Sequence, residues 1–327
     1  LELVFSNGVD KGEQISIKTG EVGSFKTFDD FYDAYKAQMN YMIKLLVNAD
    51  NSIDVAHAER CPLPFESAMV DDCISRGISV QEGGAIYNFT GPQGFGIANM
   101  ADSLYVIKTL VFDERKISLE ELKQALADNY GKPRTDIAAR DLTQEVVKEL
   151  YKQKGNVSEA EIAQIFKTVQ SNELPAEKKA KYEEILRMIE DVPKFGNDIG
   201  VVDAFARDVA YTYTKPLETF KNPRGGMYQA GLYPVSANVP LGAQTGATPD
   251  GRLAATPVAD GVSPSAGHDV HGPTASANSV SKLDHYIASN GTLFNMKFHP
   301  SALAGKQGLQ NFADFIRSYF DQKGSHM

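Results

Sequence analysis

Acid–base chemistry needs a carboxylate or an imidazole held where a proton must move. Asp54, Glu59, Asp102, Asp203 and Asp250 could each supply one, and their spacing alone selects none of them. Six histidines are scattered at His57, His268, His271, His285, His299 and His326. Only His268 and His271 lie close together. No Cys or acidic partner recurs at zinc-ligand spacing, so no metal site is expected. A serine elbow (G-x-S-x-G) and a paired-histidine zinc helix (H-E-x-x-H) leave short signatures, and the chain has neither. Cys61 and Cys73 lie twelve positions apart without a C-x-x-C pattern. Two lone thiols in a large acidic chain fit a reducing compartment and read as inert.

The most telling stretch carries little charge. Residues 222–252 run from Asn222-Pro-Arg-Gly-Gly-Met227 through Tyr233-Pro-Val235 to Asp250-Gly-Arg252 and are rich in Gly and Pro. Structureless segments longer than roughly 12–15 residues are uncommon in compact domains and are usually functional or disordered. Disorder requires low hydrophobicity and high charge. Here Met227, Tyr228, Leu232, Tyr233, Val235, Val239 and Leu241 interleave with the glycines. The expectation is an ordered backbone pressed against something, with Gly wherever a side chain would not fit. A second Gly-rich bend, from Gly83 to Gly96, precedes a helical pattern as phosphate cradles do. It matches neither G-x-G-x-x-G nor G-x-x-x-x-G-K-[ST], so phosphate binding is not favoured.

The elements that must hold these loops are mostly helices. Phe28, Phe31, Tyr32, Tyr35, Met39, Met42, Ile43 and Leu46 recur at three- and four-residue steps. That spacing predicts a helix over residues 27–47 whose aromatic stripe belongs to the core. Thr27 followed by Asp30 resembles a capping box. Two prolines within residues 56–65 rule out a central strand throughout. A short helix is expected within 69–78, ending at Gly77. A strand from Gly83 then runs into the bend, and a helix follows over 97–111, capped by Asn99 or a neighbour. Residues 114–191 are dominated by Lys, Glu, Asp, Gln and Ala. Three or four amphipathic helices are expected there, with capping boxes at Ser118/Glu121 and Ser158/Glu161 and Pro175 in the first turn of the last. Further helices are expected over 199–213, from Ser281, and over 309–320, with a strand over 292–298.

The chain has 327 residues, a formal charge of −9 and 42% apolar residues, which suits a globular protein. An acidic balance argues against nucleic acid and anionic membrane as partners, since both need a basic footprint. No run of about 18 apolar residues is present, so no spanning helix is expected. Leu1-Glu-Leu-Val-Phe5 lacks the zones of a signal peptide. On these residues alone the reading stops at an intracellular, enzyme-like domain with a neutral pocket lined by Gly-rich backbone.

A set of longer stretches in fixed order goes further. They are Ala56 to Phe65, Gly83 to Asn99, Asn222 to Arg252, Ala259 to Pro264, Gly272-Pro-Thr274, Ala288-Ser-Asn-Gly-Thr-Leu-Phe-Asn295 and Phe298-His-Pro-Ser301. Together they resemble the glycyl radical enzymes. The resemblance is closest to the branch of cobalamin-independent glycerol and propane-1,2-diol dehydratases and choline trimethylamine-lyases. It spans nearly the whole chain apart from the helical insert. It implies an α/β fold, a ten-stranded barrel of two antiparallel halves of five parallel strands each, wrapped by helices. The chain would supply the C-terminal half as one structural domain truncated at both ends. Residues 1–113 and 192–327 would be barrel-half strands, helices and active-site loops, and residues 114–191 a helical insert.

Two loops meet inside the family's barrel. One carries the catalytic Cys in a Gly-Cys-x-Glu-type motif, the other the radical Gly in an Arg-Val-Ala-Gly-Tyr-type motif. Neither motif occurs here, so no catalytic residue is assigned within the chain. Cys61 stands before Pro-Leu-Pro, where relatives commonly have Ala, and Cys73 sits in helix-like sequence. Gly324-Ser-His-Met327 reads by itself as a cloning scar. However, Lys323-Gly-Ser-His326 matches the Lys-Gly-x-His that leads toward the radical loop. The expectation is a fragment that begins after the cysteine loop and ends before the glycine loop.

For the parent, the resemblance implies a radical lyase. An S-adenosylmethionine/iron–sulfur activating enzyme installs the glycyl radical, the radical passes to the Cys, and the thiyl takes hydrogen from a substrate carbon. A nearby Glu assists proton movement, and water leaves the adjacent carbon to give an aldehyde. The chain itself is expected to bind no cofactor and no metal. Expected partners are a small polyol, the activating enzyme and a second copy in a homodimer, without nucleic acid or membrane. The expected place is the cytoplasm, inside a bacterial microcompartment or outside one. Tyr233 falls at the position of a substrate-pocket tyrosine of the diol dehydratases. A buried phenol needs a partner; a polyol offers one, and a backbone carbonyl is the alternative. Val235, two residues on, would face the same side in extended structure and shape the pocket. Residues 227–242 read close to the choline branch, while the insert at about 130–190 is more like the propanediol dehydratases. No arginine lies between Arg224 and Arg252 to receive a sulfonate, which disfavours an isethionate-type enzyme. Propane-1,2-diol, or glycerol, is favoured over choline. A reading of another class is a non-catalytic chain that only binds or assembles with a complementary piece.

Overall fold

The computed structural model describes residues 1–327, the side chain of residue 136 excepted. The longer helices are α1 (Phe28–Arg60), α2 (Ile97–Val106), α3 (Leu119–Ala127), α4 (Asp136–Lys154), α5 (Glu159–Ser171), α6 (Ala176–Asp191), α7 (Gly200–Leu217), α8 (Pro273–Ser281) and α9 (Gly305–Asp321). Short helical turns and a small antiparallel hairpin, Val9–Asp10 with Glu13–Gln14, fill the connections.

Helix starts follow local chemistry. Thr27 and Asp30 close a capping box at α1, with Asp30 N donating to Thr27 Oγ1 at 3.1 Å and Thr27 N to Asp30 Oδ2 at 2.9 Å. Ser118/Glu121 and Ser158/Glu161 do the same for α3 and α5. Pro175 is the N-cap of α6 rather than a residue of its first turn. Helix α1 runs past the expected end at 47. The prolines that stop it come only at Pro62 and Pro64, and Cys61, the residue before Pro62, leaves the helical region with ψ 52°. The short helix expected within 69–78 is instead split into Pro64–Met69 and Cys73–Arg76, with Asp72 left-handed between them and Gly77 closing the second. Gly96, at φ +72°, caps α2, not Asn99, and α2 continues as a π-helical turn over Ile107–Asp113. No helix begins at Ser281. That residue ends α8, which starts from Pro273 in its first turn.

The strands expected near 83–94 and 292–298 are reduced to single bridges. Thr90 pairs with Tyr228, Gln93 with Gly231, Leu232 with Thr292 and Leu293 with His326, all parallel. The ribbon is stitched by Gln229 N to Thr90 O (2.9 Å), Leu232 N to Gly291 O (2.8 Å) and Phe294 N to His326 O (2.9 Å). Parallel neighbours require crossover connections, usually helical. Helices α2–α7 connect the first stretch to the second, α8 the second to the third, and α9 the third to the fourth. This is the strand–helix alternation of an α/β barrel, in part.

The larger of two buried apolar clusters draws on residues from Val4 to Tyr319, including Leu104 of α2, Ile185 of α6 and Val202 of α7. Helix α5 has no buried residue and packs on α4. The smaller cluster, Ile43, Val47, Leu217, Tyr228 and Ala230, joins α1 and α7 to the second stretch of the ribbon. There the Tyr228 hydroxyl donates to Asn51 Oδ1 at 2.8 Å, and burial pushes its pKa up to about 12.

Candidate functional site

Three of the glycines of residues 222–252 stand where side chains would not fit. A Cβ on Gly226 would lie 1.9 Å from Asn88 O, and one on Gly242 2.6 Å from Thr256 O. One on Gly231 would lie 2.9 Å from both Tyr233 Cε1 and Asn290 Nδ2. None of the three has a positive φ, so close approach, not backbone conformation, demands Gly there.

Tyr233 follows the Leu232 bridge directly, at the carboxyl end of the second parallel stretch. In open α/β sheets ligands bind beyond the carboxyl ends of the strands. Its ring is half-buried. Asn290 Nδ2 donates to the Tyr233 hydroxyl at 3.4 Å and to Gly91 O at 3.0 Å. Tyr233 therefore meets a side-chain amide rather than a backbone carbonyl. Val235 does not extend alongside it. It sits in a turn at φ +57° with 74% of its surface exposed, so the shared face expected from strand alternation is not formed. A β-branched residue in the left-handed region is costly, about 1–3 kcal/mol, and such strain collects at functional sites.

The five carboxylates go elsewhere. Asp54 pairs with Arg224 Nε at 3.0 Å. Glu59 is exposed on α1. Asp203, fully buried, accepts from Lys282 Nζ at 2.8 Å. Asp102, also fully buried, accepts from Phe195 N at 2.8 Å and faces His268 Nδ1 at 2.9 Å. Burial pushes the Asp102 carboxyl up, against the pull of His268 and the Phe195 amide. Asp250 accepts from Asn99 Nδ2 at 2.6 Å and from the Thr248 hydroxyl. Asp250 and His268 both line a cleft of about 1070 Å³, shared with Asn99, Arg252, Asp260 and Ser265. Tyr233 does not line that cleft.

Cys73 is buried and Cys61 exposed. Among the described residues no group of three or more His, Cys, Asp or Glu could hold a metal ion, and no helix is long and apolar enough to cross a membrane. Sequence reasoning missed Asn290 and misplaced Asn99. Both lie inside stretches that carry the family resemblance, but no local pattern marks which side chain of such a stretch reaches across the fold.

The Pyruvate formate lyase-like family model matches residues 1–242, and the Glycine radical model residues 258–327. The chain belongs to the glycyl radical enzyme family. Within this family it is similar to the solved structure of 1,2-propanediol dehydration in Roseburia inulinivorans, with 65% identity and a TM-score of 0.91 over 100% of this chain and 39% of that one. It is also similar to the glycerol-bound, B12-independent glycerol dehydratase of Clostridium butyricum, with 50% identity and a TM-score of 0.81 over 99% of this chain and 35% of that one. Among curated relatives, the trans-4-hydroxy-L-proline dehydratase of Clostridioides difficile is 33% identical over 100% of this chain and 36% of its own length. The chain thus spans little more than a third of these glycyl radical dehydratases. Its parallel ribbon and helices are part of the α/β barrel they share.

Proposed function

We propose that the protein carrying this chain is a glycyl radical lyase that dehydrates propane-1,2-diol, with glycerol as the nearest alternative substrate. The chain would build one wall of its substrate chamber. The observation that carries this reading is Tyr233, a half-buried phenol at the carboxyl end of a parallel stretch, with its hydroxyl held by Asn290. The 65% identity to a propanediol system, against 50% to a glycerol dehydratase, favours the diol. Neutral loops packed at Gly226, Gly231 and Gly242 suit radical chemistry, because excluding water prevents side reactions. A glycyl radical, installed by a separate activating enzyme, would supply the hydrogen-abstracting chemistry. The residues of this chain would bind and orient the substrate and keep the chamber dry.

The test uses the complete protein, activated anaerobically and offered propane-1,2-diol, glycerol and choline. Propanal from the diol is expected. Trimethylamine and acetaldehyde from choline, without propanal, would overturn the choice of substrate. Tyr233→Phe should keep the glycyl radical yield while kcat/KM for the diol falls about tenfold, the scale of one lost hydrogen bond. Unchanged turnover would remove Tyr233 from the pocket.

A further inference from the structure

We infer that Asn290 is a positioning residue that fixes Tyr233 as a hydrogen-bond donor toward the substrate chamber. This rests on the reading that Tyr233 faces substrate. The Asn290 backbone N donates to Ala230 O at 3.1 Å, which sets the residue beside the second parallel stretch. Its side chain lies 3.0 Å from Gly91 O and 3.4 Å from the Tyr233 hydroxyl through the same nitrogen. A backbone carbonyl only accepts, so the group facing Gly91 must be the amide NH₂, which fixes the orientation of the side chain. That nitrogen has two hydrogens and accepts none. One hydrogen goes to Gly91 O and the other to Tyr233, whose oxygen is therefore the acceptor. The tyrosine's own proton points away from Asn290. Among the described residues the Tyr233 hydroxyl has no second partner. Its proton is thus available to an acceptor in the chamber, and a substrate hydroxyl is one.

The surroundings are shaped to this clip. A Cβ on Gly91 would lie 2.2 Å from Asn290 Nδ2, and a Cβ on Gly231 2.9 Å from the same atom. Neither glycine has a positive φ, so what each makes room for is the amide. Three stretches of the ribbon, at residues 91, 231 and 290, close around one side chain.

The test again uses the complete, activated protein, with 3-fluorotyrosine placed at position 233. Asn290→Ala should shift the fluorine resonance and raise KM for propane-1,2-diol about tenfold, with radical yield unchanged. Asn290→Asp replaces the donor with an acceptor. It should turn the phenol proton away from the chamber and raise KM at least as much. In a Tyr233→Phe background, Asn290→Ala should change KM less than twofold, because its effect runs through the phenol. An unmoved fluorine resonance, or an equal KM effect in both backgrounds, would overturn the assignment. If Asn290→Ala does not fold, as a lost radical yield would reveal, Asn290→Ser carries the same comparison. Failure of the substrate reading looks different: Tyr233→Phe alone would leave KM unchanged, while the fluorine shift would still report on Asn290.

Discussion

Asn99 holds two distant loops from within α2. Its Nδ2 donates to Asp250 Oδ2 at 2.6 Å, and its Oδ1 accepts from Ala259 N at 2.6 Å. Asn99, Asp250 and Ala259 are all buried, although all three border the cleft. Leaving a buried donor or acceptor unsatisfied costs about 1–3 kcal/mol. In Asn99→Ala the amide of Ala259 should therefore exchange its hydrogen about tenfold faster, or more, while distant helices keep their protection. Unchanged protection at Ala259 would count against this role. Position alone suggested a cap for Asn99, because it lies in the first turn of the expected helix. The cap went to Gly96 because the chain enters α2 through a left-handed residue, which Gly adopts freely. Tyr233 was legible as a residue, but its partner was not. Asn290 lies 57 positions away, and nothing between the two specifies that they meet.

At the level of elements, the helical stretch from α3 to α6 is tied down at one corner. Glu121 closes the capping box of α3 and also accepts from Lys181 of α6 at 2.6 Å. The Lys181 bond, then the Ser118 amide and hydroxyl, hold the Glu121 carboxyl down at about 2. A carboxyl depressed on folding stabilises the fold when ionised. That contribution is fully present above its ordinary value of about 4.5. It is lost as the pH falls from there through about 2. Protection of the α3 amides should therefore weaken across that window, and the difference between wild type and Glu121→Gln should shrink with it. A constant difference from pH 6 to roughly pH 2 would contradict the linkage. The Glu121 side chain is 41% exposed, so the effect is modest and falls with added salt. Capping boxes at Thr27, Ser118 and Ser158 were legible because their partners lie three residues apart. The parallel ribbon was legible only in part: strands were expected from Gly83 and over 292–298, but not at 228–232 or at His326. Its members are bounded by Gly and Pro and pair through single bridges, too short for alternation to register.

The molecule as a whole leaves large apolar side chains in water. Tyr87 is 86% exposed, Tyr286 79%, Phe65 78% and Ile74 73%. Exposed apolar surface of this kind marks interaction sites. Produced by itself, the 327-residue chain should self-associate as its concentration rises, as followed by sedimentation velocity. Phe65→Ser with Tyr87→Ser should reduce that association. A monomer whose sedimentation is independent of concentration would sink the expectation.

The sequence by itself determined the capped starts of α1, α3 and α5, the need for glycine at points along residues 222–252 and, through ordered motifs, the family. Caps and close turns act over three or four residues, and a glycine reports crowding even when the neighbour is unknown. The tertiary structure alone decided which neighbour that was. It placed Asn88 against Gly226, Asn290 against Gly231 and Tyr233, and Asn99 between Asp250 and Ala259. It also showed which carboxylates are themselves buried and hydrogen-bonded, namely Asp102, Asp203 and Asp250, leaving none of the five candidates hydrogen-bonded to Tyr233. Such contacts span tens to hundreds of residues. They depend on how α1, α2 and α7 pack around the ribbon, and no local periodicity encodes that packing.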